Sequence, residues 1–183
     1  MKIEIPLRWV VVGLFVAFEA VMLTAYHFET DRNRATIVFG GTVIAGAFAL
    51  YAFLQGVEQR RSETAQALIQ RWNAAEMLPI RLVLLDIIED RLEPATLKRK
   101  EGITETDTNR GRLVTILNFF EEMAIATLHK SVNENLLYEF YGSIVGSAEA
   151  KLKDWIMDEQ RIDEADDYCN FLVLAARWKQ RKN

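Results

Sequence analysis

The chain has 183 residues, half of them hydrophobic, with 22 basic and 26 acidic residues and a formal net charge of −4. That length suits one sizeable domain, and the near balance of charge leaves no nucleic-acid footprint, Lys98–Lys100 being the only basic cluster. The single cysteine, Cys169, excludes an intrachain disulfide framework, so nothing points to an exported domain.

Two apolar blocks come first, residues 9–26 and 35–57, separated by "HFETDRNR" (His27–Arg34). At about 1.5 Å per residue each approaches the roughly 30 Å of a bilayer core. The second block carries no charge and reads as a membrane span. The first reads as a span interrupted by one acid, Glu19. Lys2 and Arg8 suit the start of a signal peptide, but the acid and the lack of a small-x-small site argue against cleavage. Basic residues set orientation. Lys2 and Arg8 precede the first block, Arg60, Arg61 and Arg71 follow the second, and Arg32 and Arg34 lie between them. Both termini are expected on the cytoplasmic side of a bacterial inner membrane.

On a helical wheel Gly13, Ala17, Ala20 and Thr24 form one narrow row in the first block, and Gly41, Ala45 and Ala49 form another in the second. Small residues let membrane helices approach closely, so the two rows are predicted to face each other in a hairpin. Glu19 lies roughly 120–130° from the first row, on the side of Phe15, Met22 and Tyr26, and is predicted to point away from that contact. Lipid, another subunit or water could then surround it. Lipid would force the carboxyl to protonate, whereas a sister copy or a wet lumen would stabilise it. A protonated Glu19 bonded to a backbone carbonyl, or to Thr42 at similar depth, is the plain alternative.

Residues 58–183 hold 18 basic and 22 acidic residues and show repeated helical spacing with no useful β-alternation. The second span is predicted to continue as one helix through "EQRRSETAQALIQRWNAAEML". Pro79 then suits the first turn of a new helix, "PIRLVLLDIIEDRL". Residues 93–107 read as a polar loop with one short turn. "TNRGRLVTILNFFEEMAIATLHK" is apolar around more than half its circumference and is predicted to be the central helix. A helix over about 134–160 places Leu136, Leu137, Phe140, Tyr141, Ile144, Val145, Ala148, Leu152, Trp155 and Ile156 on one face, with Gly142 and Gly146 permitting a close neighbour at its edge. A last helix covers about 164–180. No linker or repeat separates these elements, and the expected fold is all-α: a two-helix transmembrane hairpin (1–57) followed by a cytoplasmic helical bundle (58–183).

Arg81 shares its row with Leu84, Leu85, Ile88 and Leu92, and Glu121 sits among Val114, Leu117, Ile125 and Leu128. Burying either charge alone is costly, so the two are predicted to pair. Glu122, Asn118 and His129 form a polar row on the opposite side of the Glu121 helix. Catalytic signals are missing. The two histidines, His27 and His129, belong to different parts of the chain. No zinc spacing, carboxylate–x–x–His pair or phosphate-loop fingerprint occurs, so neither a metal, a cofactor nor an enzyme is expected.

"ILNFFEEMAIA" (Ile116–Ala126), "VNENLLYEFYGSIV" (Val132–Val145) and "YCNFLVLAARW" (Tyr168–Trp178) resemble the core motifs of a bacterial domain-of-unknown-function family over roughly residues 58–180. The resemblance implies N-terminal membrane helices and a helical cytoplasmic domain, and no activity. A fainter resemblance, to membrane accessory proteins of Cas13-type CRISPR systems, implies a ring with a membrane pore. The arginine–histidine pattern of HEPN-type ribonucleases is missing, so such an effector would not be nucleolytic. The expectation is a membrane-bound homo-oligomer that forms or gates a pore, or alternatively a tether for a cytoplasmic protein partner.

Overall fold

The computed structural model describes residues 7–28, 31–97, 107–163 and 166–181. Among the described residues there are six α-helices: α1 (Leu7–Phe28), α2 (Asp31–Asn73), α3 (Leu78–Ile88), α4 (Asp107–Leu128), α5 (Glu134–Asp163) and α6 (Cys169–Arg181). Two short 3-10 turns, Ala75–Met77 and Pro94–Leu97, lie on either side of α3, and no strand occurs among the described residues. The chain divides into two compact units, Met1–Val57 and Glu58–Asn183.

In the first unit α1 faces the start of α2. A Cβ built on Gly41 would lie 3.4 Å from Met22 Cε, so the glycine makes room for the methionine. Gly41 and Ala45 therefore do line the contact between the helices. The partner row on α1 is not the small one. Gly13, Ala17, Ala20 and Thr24 are all exposed, and the α2-facing side of α1 holds Glu19 and Met22. Long apolar side chains outrank small residues here, because Met22 fills the notch that Gly41 leaves. Val16, Val21, Phe39, Val43, Phe53 and Leu54 are exposed. From Val38 on, α2 is the single described helix long and apolar enough to cross a bilayer, against the two spans expected. Side chains of α1 are described only in part, from Gly13 on, which leaves too short a stretch to count as a second.

The second unit is a bundle around α4. Leu113, Ile116, Leu117, Phe119, Phe120, Met123 and Ala124 are buried on several sides of that helix, as its broad apolar arc requires. α3 and α6 pack on it, and α5 packs on α6 and α3. Trp72, in the last turn of α2, is 4 % exposed. Its ring centroid lies 5.1 Å from Phe119, 5.6 Å from Phe120 and 5.8 Å from Tyr141, and Phe120 stacks on Phe171 at 5.3 Å. The aromatic group thus joins α2, α4, α5 and α6. The Tyr141 hydroxyl donates to the Leu68 carbonyl at 3.1 Å, which satisfies the buried phenol.

Helix ends explain the boundary differences. α3 stops at Ile88 rather than Leu92 because Asp90 turns left-handed (φ 58), and Arg91 N then donates to Asp86 O at 2.7 Å. α4 stops the same way: Lys130 has φ 56, and Ser131 N donates to Ala126 O at 3.0 Å. Both are closures in which a residue in the left-handed region lets the next amide reach back to the helix. Tyr168 (φ 62) delays α6 until Cys169, five residues later than its periodicity predicts. At the α5 entrance the Asn133 side-chain oxygen accepts from Leu136 N at 3.2 Å, an N-cap.

Removing the Trp72 ring should leave a cavity at the meeting point of four helices. Trp72→Ala is expected to cost about 3–5 kcal/mol, measured as a lowered urea midpoint of the helical circular-dichroism signal.

Candidate functional site

The first candidate lies in the hairpin unit. Glu19, Met22, Leu23, Val38, Gly41, Thr42 and Ala45 line an open groove of about 350 Å³ between α1 and α2. Glu19 therefore points toward α2, which corrects the outward direction predicted from the wheel. The surroundings are apolar apart from the carboxyl group and the Thr42 hydroxyl. Thr42 Oγ1 donates to Val38 O at 2.9 Å, one turn back on its own helix. Its proton is thus committed and its lone pairs remain available as acceptors. A neutral carboxyl could donate to such an oxygen, whereas an ionised one gains nothing from it. The Tyr26 side chain, predicted to share this side, lies outside the described residues.

The second candidate, an Arg81–Glu121 pair, does not form. Arg81 Nη1 reaches Asn73 Oδ1 at 3.3 Å, and its Nε is buried without a partner. Glu121 caps α6 instead. Its Oε2 accepts from Phe171 N at 2.8 Å, and its Oε1 accepts from Asn170 Nδ2 at 2.7 Å and Asn170 N at 3.3 Å. Free amides at a helix N-terminus satisfy a carboxylate as well as an arginine does, and the helix dipole adds to the attraction. On the far side of α4, Glu122 forms a two-pronged bond with Arg71, at 3.0 and 2.6 Å. The Arg71 guanidinium lies over the Phe119 ring, 4.8 Å from its centroid.

Three polar features were not anticipated. Arg110 Nη2 meets Glu159 Oε2 at 2.7 Å, and Glu159 is 8 % exposed. Glu159 lies one turn beyond Trp155 on the apolar row of α5, so extending that row would have found it. Arg110 Nε, Glu159 Oε1 and Trp155 Nε1 are buried without partners. Asn133 joins the start of α5 to α2: its N donates to Arg61 O at 3.0 Å, and its Nδ2 to Glu58 Oε1 and Ser62 Oγ at 3.1 and 3.2 Å. Glu134 binds Arg177 at 2.6 Å and the Trp178 indole N–H at 3.1 Å, fixing α6 to α5. Contacts separated by 40 or more residues leave no local trace in a sequence. Among the described residues no cluster of metal-ligating side chains forms.

Among the described residues no other helix crowds the Cβ side of the α5 glycines. A Cβ on Gly142 would meet the Tyr138 ring of its own helix at 3.1 Å, and one on Gly146 would meet nothing within 4 Å.

The cap and the buried phenol each yield a test. Glu121→Ala should destabilise the bundle by about 2–3 kcal/mol through its lost charge-assisted bonds, and adding Arg81→Glu should not restore it; urea unfolding of the single and double variants compares them. Burial pushes the Tyr141 phenol well above its usual range, against the pull of the Arg71 and Arg81 guanidiniums. A raised pKa favours the folded state while the phenol stays neutral. That contribution is fully present below the unfolded value of about 10 and is lost as pH rises past it toward the folded value. Tyr141→Phe should therefore flatten the fall of melting temperature above about pH 10, at a cost near neutrality of about 1 kcal/mol from the missing bond to Leu68.

A family model described as a domain of unknown function, DUF4760, matches residues 35–178, from the apolar part of α2 to the end of α6. No curated protein and no solved structure matches the chain. The match takes in more of the N-terminal side than the motifs that first pointed to such a family, and on its extent the chain belongs to the DUF4760 family.

Proposed function

We propose that the protein is a membrane-anchored homo-oligomer of the bacterial inner membrane, with both termini cytoplasmic. Its helical unit, Glu58–Asn183, assembles or senses a signal, and its N-terminal hairpin forms or gates a permeability path. The observation that carries this reading is the open groove holding Glu19 and Thr42 between two helices whose outer sides are apolar. An acid within hydrocarbon is costly unless it is solvated, paired or protonated, and such residues mark ion and proton paths. With Glu19 turned inward, the exposed Gly13, Ala17 and Ala20 are left for a helix of a neighbouring copy, which small residues admit at close range. α2 runs without a break from the apolar segment to Asn73, giving a covalent route from the bundle to the hairpin. A role in anti-phage defence is part of this proposal, motivated by the faint sequence resemblance to CRISPR-associated membrane accessory proteins.

A non-catalytic tether is the second reading. It is favoured by Leu78, Leu82 and Leu85, which are exposed in one row along α3 and suit a cytoplasmic protein partner. Ion flux through liposomes containing the full chain separates the two. The pore reading expects flux in the wild type that falls in Glu19→Ala. Equal and negligible flux in both would leave the tether.

A further inference from the structure

The solvent side of α5 presents a second feature, independent of the hairpin. Glu139, Ser143, Gly146, Ala150, Lys153 and Met157 are all exposed. Their spacing alternates four and three residues, the 3.5-residue repeat that keeps a seam straight along a helix. The seam is unlike an ordinary charged surface. Its middle is small, and a groove of about 810 Å³ runs there between α5 and α6, with Gly142, Gly146 and Ala150 along α5 and Ala175 and Trp178 from α6. A Cβ at Gly146 would meet nothing within 4 Å, so backbone is accessible at the centre.

The ends of the seam are charged with opposite sign. Glu139 and Lys153 stand at equal distances on either side of Gly146, and neither has an ion-pair partner among the described residues. That symmetry decides the occupant. If a second α5 lies antiparallel across the first, with a two-fold axis at Gly146, Glu139 of each copy faces Lys153 of the other. Gly142 of each copy then faces Ala150 of the other, which lets the helices approach closely. Every contact is made twice, as an isologous interface requires. A parallel arrangement would set Glu139 against Glu139 and Lys153 against Lys153. An unrelated helix would gain nothing from the matched placement.

We propose that this face of α5 is a homodimer interface in which a second copy of the chain docks antiparallel, centred on Gly146. The inference rests on the homo-oligomer reading above, for which it names one contact surface, and it does not depend on the pore.

The test uses the full chain in detergent, with the exposed Cys169 replaced by serine. Gly146→Cys has room for its side chain and would place two thiols beside the axis, where a Cα separation of about 5.5–6 Å permits a disulfide. Mild oxidation should give a covalent dimer, while Gly111→Cys, exposed on α4, should not. Glu139→Lys alone and Lys153→Glu alone should each lose the dimer, and the two together should restore it. The same charge variants without an added cysteine, weighed by native mass, keep the test valid if the thiol variant misfolds. Absence of the Gly146 crosslink, or charge reversals that fail to rescue one another, overturns the interface. A larger assembly that survives both reversals does so too, leaving oligomerisation through another surface. A Gly146-linked dimer with no Glu19-dependent flux upholds the interface and sinks the pore.

Discussion

The burial of Trp72 is the constraint on which the bundle depends. It stands in the last turn of a 43-residue helix whose earlier part is apolar and exposed. In the run Glu58–Arg71 only Ala65, Leu68 and Ile69 reach the core, and none is large, so the indole supplies the bulk that holds that end of α2 against α4 and α5. The indole does so by contacting Phe119, Phe120 and Tyr141 together. Tyr141 then bonds the α2 backbone one turn earlier, at Leu68. Polar contacts act around this centre rather than in place of it: Arg71 to Glu122 on one side, and Asn133 to Arg61, Ser62 and Glu58 nearer the start of the unit.

Buried and half-buried charge in this molecule is satisfied in two ways. Arg110 and Glu159 pair directly, although one atom of each remains unbonded. Glu121, which is half-buried, has no cationic partner among the described residues and holds amides in the first turn of α6, 49 and 50 residues away in the chain. The second solution uses donors that every helix supplies at its start, so it needs no compensating arginine. It also sets where α6 begins, since the capped amides belong to Asn170 and Phe171.

Much of the bundle was legible from periodicity, because burial follows the apolar arc. The width of that arc made α4 central, and Leu137, Tyr141, Val145, Ala148, Leu152, Trp155 and Ile156 are buried as the α5 row implies, while Leu136 and Ile144 are half-buried and Phe140, at the edge of the row, is exposed. Helix ends were harder to read. Glycine usually marks a left-handed closure, and here Asp90, Lys130 and Tyr168 adopt that conformation instead. Arg81 and Glu121 look like a pair because opposite charges stand on two apolar rows, while unsatisfied backbone amides have no letter of their own; in the fold both are only half-buried. In the hairpin, the row of small residues on α1 was taken for the contact surface. Packing chose the side where Met22 meets Gly41, and Glu19 was carried inward with it, being three residues away on the same face.

The left-handed closure at Lys130 has an evolutionary consequence. A side chain with a Cβ in that conformation is strained by about 1–2 kcal/mol relative to glycine. The bundle therefore holds a reserve of stability untouched by its interior: drift to glycine or asparagine at the exposed Lys130 would firm the fold and leave room for less favourable changes elsewhere. Relatives living at higher temperature have that adaptation open to them without repacking a single aromatic ring.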